Sequence, residues 1–266
     1  SLPAPTPGEL TWTDQVFEKT WTTGDGVQLM TARYVLPAAE HPENDPAWAI
    51  ITEYFKGQGE AYLEQAEDTA GFAEGDYDIA QASNYDFSPY AEEASYTVTY
   101  QNDSVVSFVR SYYSNFGAAY PTVLQLSEQF NRYDGARLHF SDFFSDPEEA
   151  RARVLKAIHA VTDPLEGYRS ADVDRLFHED NFYLTDEGFV FYYQSEAIAP
   201  HAAGIPEFTI PYTDLSDLWN RFEKMTSSAW ISSASAPPGR AWPTCPGAWW
   251  SLWRGRSPAR PARCSS

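Results

Sequence analysis

The chain has 266 residues, 43% hydrophobic and 16% aromatic, with a formal net charge of −20. This is the composition of one large or two small globular domains, and it excludes a chain that is disordered throughout. No run of about 18 apolar residues occurs, which excludes a membrane-crossing helix within the sequence, and the acid excess excludes charge-driven binding to nucleic acid or anionic lipid.

The charge is unevenly placed. Every Asp and Glu lies at or before Glu223, so the body up to Met225 holds 38 acids against 13 bases, a net of −25. Such a surface steers a cationic partner. The opening "SLPAPTPGEL" reads as a Pro-rich linker over residues 1–11 that follows an upstream signal peptide or membrane anchor. The body divides into an N-terminal α+β domain over 12–115 and a C-terminal α+β domain over 116–222.

In chain order, "TWTDQVFEKTWTT" and "GVQLMTARYVLP" read as two strands joined at Gly24-Asp25-Gly26, a hairpin signal. Asp45 then caps a helix that starts at Pro46. Its apolar stripe is Trp48, Ile51, Phe55, Tyr62, Leu63 and Ala66. Gly57 and Gly59 weaken it by about 1 kcal/mol each relative to alanine. The acidic, Gly-containing "EDTAGFAEGDYD" reads as a loop that ends it. Thr97–Gln101 and Ser104–Val109 form the clearest hairpin, with Asn102-Asp103 as a two-residue turn of the kind that accepts positive φ. A third strand, "TVLQLSEQFNRY", turns at Asp134-Gly135.

The second helix is "SDPEEARARVLKAIHAV", capped by Asp146 and started by Pro147, with Glu148 and Glu149 at its positive end. Ala150, Val154, Leu155, Ile158 and Val161 form its buried stripe. "NFYLTD" and "GFVFYYQ" make another hairpin around Asp186-Glu187-Gly188. Phe189, Phe191 and Tyr193 share one face, and Val190 and Tyr192 the other. "EFTIPY" is a last strand, and Asp214 caps a short turn reaching Trp219. Hairpin-joined strands outnumbering helices give an α+β fold: antiparallel sheets with helices on one face, in two adjacent lobes.

Residues 223–266 differ from the body. They hold five of the nine tryptophans, both cysteines (Cys245 and Cys264), and, after Lys224, arginine as the only basic type. Their apolar residues follow neither period. The composition reads as GC-rich DNA translated in a shifted frame or as a disordered tail; a basic Trp/Arg segment that touches a membrane or the cell wall is the rival reading.

The chemistry-bearing motifs are sparse. The five histidines show no His-x-x-x-His spacing, and neither a nucleophile elbow nor a phosphate loop appears. No cofactor, metal or catalytic residue is expected. His159 sits where a helix C-terminus favours a histidine, and "FHED" (Phe177 to Asp180) reads as a solvated turn. Glu196 and Glu207 flank the Pro- and Gly-containing loop after "GFVFYYQ". A retaining glycosidase needs two carboxyls about 5 Å apart, so a carboxylate-dependent glycan hydrolase stays as an enzyme alternative. Glu196 itself is expected to accept backbone N–H bonds and shape the loop. Pro200 and Pro206 restrict that loop, and Gly204 permits a tight bend. It is either a structural corner or a partner-facing finger tipped by Pro200, His201 and Ala202.

"YQNDSVVSFVRSYYSNFGAAYP", "NRYDGARLHFSDFF" and "FYLTDEGFVFYYQSEAIAPHAAGIPEFTIPYTDL" together resemble one bacterial family. It is the extracytoplasmic paired-domain region shared by the anti-sigma factor RsiV and the N-terminal side of the peptidoglycan deacetylase PdaC. The resemblance runs from about residue 90 to about residue 218. It implies a non-catalytic, exported binding or sensing module of the cell envelope. The implied partner is a cationic, lysozyme-like protein or peptidoglycan; the candidate binding residues, read from the loop itself, are Glu196, Pro200, His201, Ala202 and Gly204. An accessory half of a deacetylase or hydrolase is the alternative within the same resemblance.

Overall fold

The computed structural model describes residues 10–118 and 120–220. The tail at 223–266 and residues 1–9 of the linker lie outside the described residues.

The fold is α+β. A six-stranded sheet runs in the order β1 (Trp12–Thr22), β2 (Gln28–Ala39), β3 (Tyr90–Gln101), β4 (Val105–Asn115), β5 (Thr122–Asn131) and β6 (Arg137–Leu138). Neighbours are antiparallel except β2 and β3, which are parallel. The helix α1 (Pro46–Ser83) makes the crossover between them. Parallel neighbours need such a connection, whereas antiparallel ones need only a turn. The sheet runs on through β5 and β6, past the division drawn at 115/116.

α1 corrects one expectation. It does not stop at "EDTAGFAEGDYD" but continues through it to Ser83, 38 residues in all, where Asn84 ends it with φ 52°. Ala66, Thr69, Ala70, Ala73 and Ala80 are buried along that extension, and Ala66, Ala70 and Ala73 pack with Met30, Ala32, Tyr34 and Ala94 of the sheet. Small side chains let the helix lie close to the strands, and this packing outweighs the intrinsic cost of its glycines. The N-terminus is as expected: Asp45 Oδ1 accepts the Ala47 N–H at 2.8 Å, with Pro46 in the first turn.

The two early glycines of α1 are not equivalent. A Cβ built on Gly59 would lie 2.2 Å from Phe17 Cδ2, whereas one on Gly57 meets nothing within 4 Å. Gly57→Ala is expected to raise stability by up to about 1 kcal/mol through helix propensity. Gly59→Ala is expected to lower it by about 1–2 kcal/mol, because displacing the Phe17 ring overpacks the site. Urea melts of the two variants check this; equal shifts would show that Phe17 moves freely.

The hairpin between β3 and β4 is longer than expected at both ends. Its turn closes by another device than positive φ: Asn102 Oδ1 accepts the N–H groups of Ser104 and Val105, each at 2.8 Å. The turn after β5 keeps its glycine requirement, with Gly135 at φ 73° and its Cα side against Ala47 O.

The second lobe starts with a 3-10 turn (Phe140–Phe143) and α2 (Pro147–Thr162), then α3 (Ser170–Leu176). A three-stranded antiparallel sheet follows, β7 (Phe182–Leu184), β8 (Gly188–Tyr192) and β9 (Glu207–Pro211), and then α4 (Tyr212–Leu215). Asp146 caps α2 through Glu149 N at 3.1 Å. Val161, placed in the buried stripe, is 49% exposed; Thr162, one position on, is buried in its stead. With Ala150, Val154 and Ile158 buried, the stripe steps by four and lands on Thr162. Asp214 lies inside α4 and does not cap it, since Pro211 holds the cap position.

Phe189 and Phe191 point into an aromatic core with Phe140, Phe143, Phe182 and Tyr193, as the alternation requires. Val190 and Tyr192 take the opposite face and are also buried. That second face meets the first sheet, where Tyr192 Oη and Ser127 Oγ are 3.0 Å apart. Nearby, Ser107 Oγ accepts Leu184 N at 3.0 Å and Gln129 Nε2 donates to Phe182 O at 2.8 Å.

Candidate binding surface

The loop between β8 and β9 has a buried root and an exposed tip. At the root, Gln194 behaves as one more residue of the β5 edge. Its Oε1 accepts Gln125 N at 3.0 Å and its Nε2 donates to Gln125 O at 2.6 Å. Ile198 and Ala199 are fully buried, and Tyr193 N donates to Pro206 O at 3.0 Å across the neck of the loop.

Arg169, from the connection between α2 and α3, clamps the same root. Its backbone N–H donates to Ile198 O at 2.7 Å. Its guanidinium donates to Ala197 O at 2.8 Å and to Glu196 O. Tyr193 Oη donates to Val173 O of α3 at 3.0 Å.

Beyond this root, Pro200, His201, Ala202, Ala203 and Gly204 are all exposed. Pro200 (φ −68°) leads into a single 3-10 turn, His201–Ala203, and Gly204 ends it at φ 67° with its N–H on His201 O at 3.0 Å. Gly204 thus makes the bend expected of it. Two other loops come up beside the tip. A methyl group on Gly167 would touch the Pro200 ring at 3.7 Å. The Tyr120 ring, 76% exposed in the β4–β5 turn, lies 6.0 Å from the His201 ring. Leu165, two residues before Gly167, is 46% exposed.

Glu196 differs from its expected role. Its backbone is left-handed at φ 64°. Its side chain is 68% exposed and its Oε1 stands 4.0 Å from His201 Nδ1; among the described residues it takes no backbone N–H. Glu207 is held otherwise: its Oε1 accepts Gln125 Nε2 at 2.8 Å, and it also bonds Tyr183, whose phenol is pushed up to about 12 by burial and then by this carboxylate.

The "FHED" turn is structural. The Asp180 carboxylate accepts Phe140 N at 3.0 Å and meets His139 Nδ1 at 2.7 Å. Burial works against its charge, but those two bonds prevail and hold the carboxyl below its ordinary range.

His159 carries more than a helix-terminus preference. Its Nδ1 is 3.1 Å from Asp163 Oδ1 and its Nε2 is 2.7 Å from Asp174 Oδ2. The i to i+4 spacing to Asp163 is legible on a helix; the contact with Asp174 depends on how α3 folds back.

The segments 116–121, 163–174 and 195–207 together carry six carboxylates and one arginine. The arginine, Arg169, is turned to the loop root and to Asp172 at 3.2 Å. The surface is therefore a small apolar and aromatic tip, with the exposed Glu196 carboxylate beside His201, on a root fixed by hydrogen bonds. No group of three or more His, Cys, Asp or Glu side chains among the described residues has the arrangement of a metal centre.

No curated protein shows significant sequence similarity to the chain. Solved structures that share its fold include two DUF3298 family proteins. One is a member of the DUF3298 family from Bacteroides fragilis NCTC 9343, 19% identical, covering 84% of this chain and 99% of that one with a TM-score of 0.66. The other is a DUF3298 family protein from Pseudomonas aeruginosa PAO1, also 19% identical, covering 81% and 97% with a TM-score of 0.54. In sequence, residues 141–213, which hold α2, α3, the second sheet and the whole loop, match the family described as a protein of unknown function (DUF3298).

Proposed function

We propose that the chain is a non-catalytic binding module of the bacterial cell envelope, and that the loop tip at Pro200, His201 and Ala202 meets a cationic, lysozyme-like protein. The observation that carries this reading is the convergence of three loops on one exposed tip whose root is immobilised. A surface already ordered loses little conformational entropy on association. Tyr120 offers the kind of amphipathic ring that dominates contact energies, with the His201 ring beside it, and the exposed Glu196 carboxylate and the acidic body complement a basic partner. The body charge of −25 and the resemblance to the RsiV and PdaC region agree with an exported module of this kind.

The test is binding of the full chain to lysozyme by surface plasmon resonance across a salt series. The expected association rate falls steeply with salt, because exposed charges are screened beyond about 8 Å at physiological ionic strength, while the dissociation rate changes little. The double variant His201→Arg, Ala202→Arg, which sets bulk and like charge against a basic partner, is expected to abolish binding and leave the melting temperature unchanged. No binding to lysozyme at low salt, with retention on peptidoglycan sacculi, would move the reading to a cell-wall ligand or to an accessory role beside an enzyme. Turnover of peptidoglycan fragments by the chain would overturn the non-catalytic reading.

A further inference from the structure

His159 lies away from the loop tip, yet the elements it joins are those that hold the loop root. Asp163 caps α2, and Asp174 lies in α3. The eleven positions from Asp163 to Val173 contain Gly167 against Pro200, Arg169 on the carbonyls of Glu196, Ala197 and Ile198, and Val173 under Tyr193 Oη. The imidazole thus closes this connection at both ends.

The chemistry of that closure is restrictive. A carboxylate only accepts hydrogen bonds, and a neutral imidazole has one N–H. Ring nitrogens at 3.1 and 2.7 Å from two carboxylates can both donate only when the ring carries both protons. The bracket is therefore the structure of an imidazolium. Loss of one proton breaks one of the two bonds and sets a bare nitrogen lone pair against a carboxylate.

We propose that His159 is a proton-operated latch: the imidazolium ties Asp163 to Asp174 and so positions the Arg169 clamp on the loop root, and deprotonation loosens the loop. The latch regulates partner binding on the reading that the loop tip is the contact surface. His159 is a positioning residue, since it touches neither the tip nor a partner.

The charged surroundings favour this. Hydrogen bonds from Asp163 and then Asp174 raise the imidazole above its ordinary value near 6.5, and outweigh the opposing effect of burial. Asp163 is held below the usual carboxylate range by His159 and then by the Ser170 hydroxyl, so it stays ionised throughout. From the second sheet, Tyr193 faces Asp174; its phenol is raised by burial and then by that carboxylate, while Arg151 of α2 lowers it, and it stays neutral. The sign follows: the latch is closed below about 6.5 and opens as pH rises through the raised value of the folded state.

The experiment is hydrogen–deuterium exchange of the full chain from pH 6 to 9, corrected for intrinsic base catalysis, with no partner present. Wild type is expected to show a several-fold rise in exchange at 195–204 across the imidazole titration, with β4 and β8 unchanged. His159→Gln, which does not titrate and sets an acceptor oxygen beside its one amide nitrogen, is expected to give fast exchange at 195–204 at every pH, with no step. If that variant is destabilised globally, Asp174→Asn supplies the second measurement, with a step displaced to lower pH. A step that persists in His159→Gln, or one confined to α2 and α3 with the loop unmoved, would overturn the latch. So would a nitrogen-15 titration showing the His159 ring singly protonated at pH 6. These readouts stand apart from binding: the latch can hold while lysozyme fails to bind, and the reverse.

Discussion

Arg110→Ala is expected to cost about 3–5 kcal/mol, because it strands a buried carboxylate. Arg110 and Glu128 face each other from β4 and β5 with side chains 3% and 4% exposed. Arg110 Nε donates to Glu128 Oε2 at 3.0 Å, a second nitrogen meets the other carboxylate oxygen, and the third donates to Tyr62 Oη of α1 at 2.9 Å. Burial alone would weaken the guanidinium's hold on its proton, but the charge of Glu128 more than offsets it. The loss compares with a total stability of about 5–15 kcal/mol for a protein, so the variant is expected to be marginal at 37 °C. Urea denaturation measures it, and a cycle with Glu128→Leu and Arg110→Met separates the pair from its desolvation. The double variant is expected to lie within about 1–2 kcal/mol of wild type or above it, since apolar pairs replace buried ion pairs with little loss. A single-variant cost below 1 kcal/mol would show that water reaches the site.

Phe191→Ala is expected to cost about 3–5 kcal/mol as well, for a different reason: it leaves a cavity. The ring is 1% exposed and lies 5.6–5.8 Å from the rings of Phe182, Phe177 and Phe140. Its backbone sits at the centre of the second sheet, paired with Phe182 on one side and Phe208 on the other. Thermal and urea melts are the measure. A small loss would mean that the cluster collapses into the space, as a loosely packed core does.

Local chemistry made both long helix starts legible. Asp45-Pro46 and Asp146-Pro147 each put an acceptor beside orphan N–H groups and a residue that lacks one, so the sequence states the boundary within a few positions. The aromatic alternation of Phe189, Phe191 and Tyr193 was legible for the same reason: a strand's period is set by its own backbone. What escaped reading was set by partners distant in sequence. The continuation of α1 depends on Ala66, Ala70 and Ala73 finding strands β2 and β3 beneath them, and an isolated "EDTAGFAEGDYD" carries no sign of that. Gly59 looked like a defect until Phe17 occupied its missing side chain. The loop tip was legible from its prolines and glycine. Tyr120, Leu165 and the Arg169 clamp were not, because three loops from different parts of the chain meet only once both sheets have formed.

The single parallel pairing has a kinetic consequence. The hairpin β1–β2 and the run β3–β4–β5 are each closed by short turns, so each can zip from its own end. The seam between them joins Met30 to Tyr90, residues sixty positions apart, and no turn brings those together. Its closure waits for α1 to span the gap as a rod of about 57 Å, at 1.5 Å per residue. Pairings of such long sequence separation are the slow events of folding. The acidic helix that looks like an ornament on the sheet is thus the part whose docking sets the order of assembly, and a chain caught before that step would expose two raw strand edges at once, the outer side of β2 and that of β3.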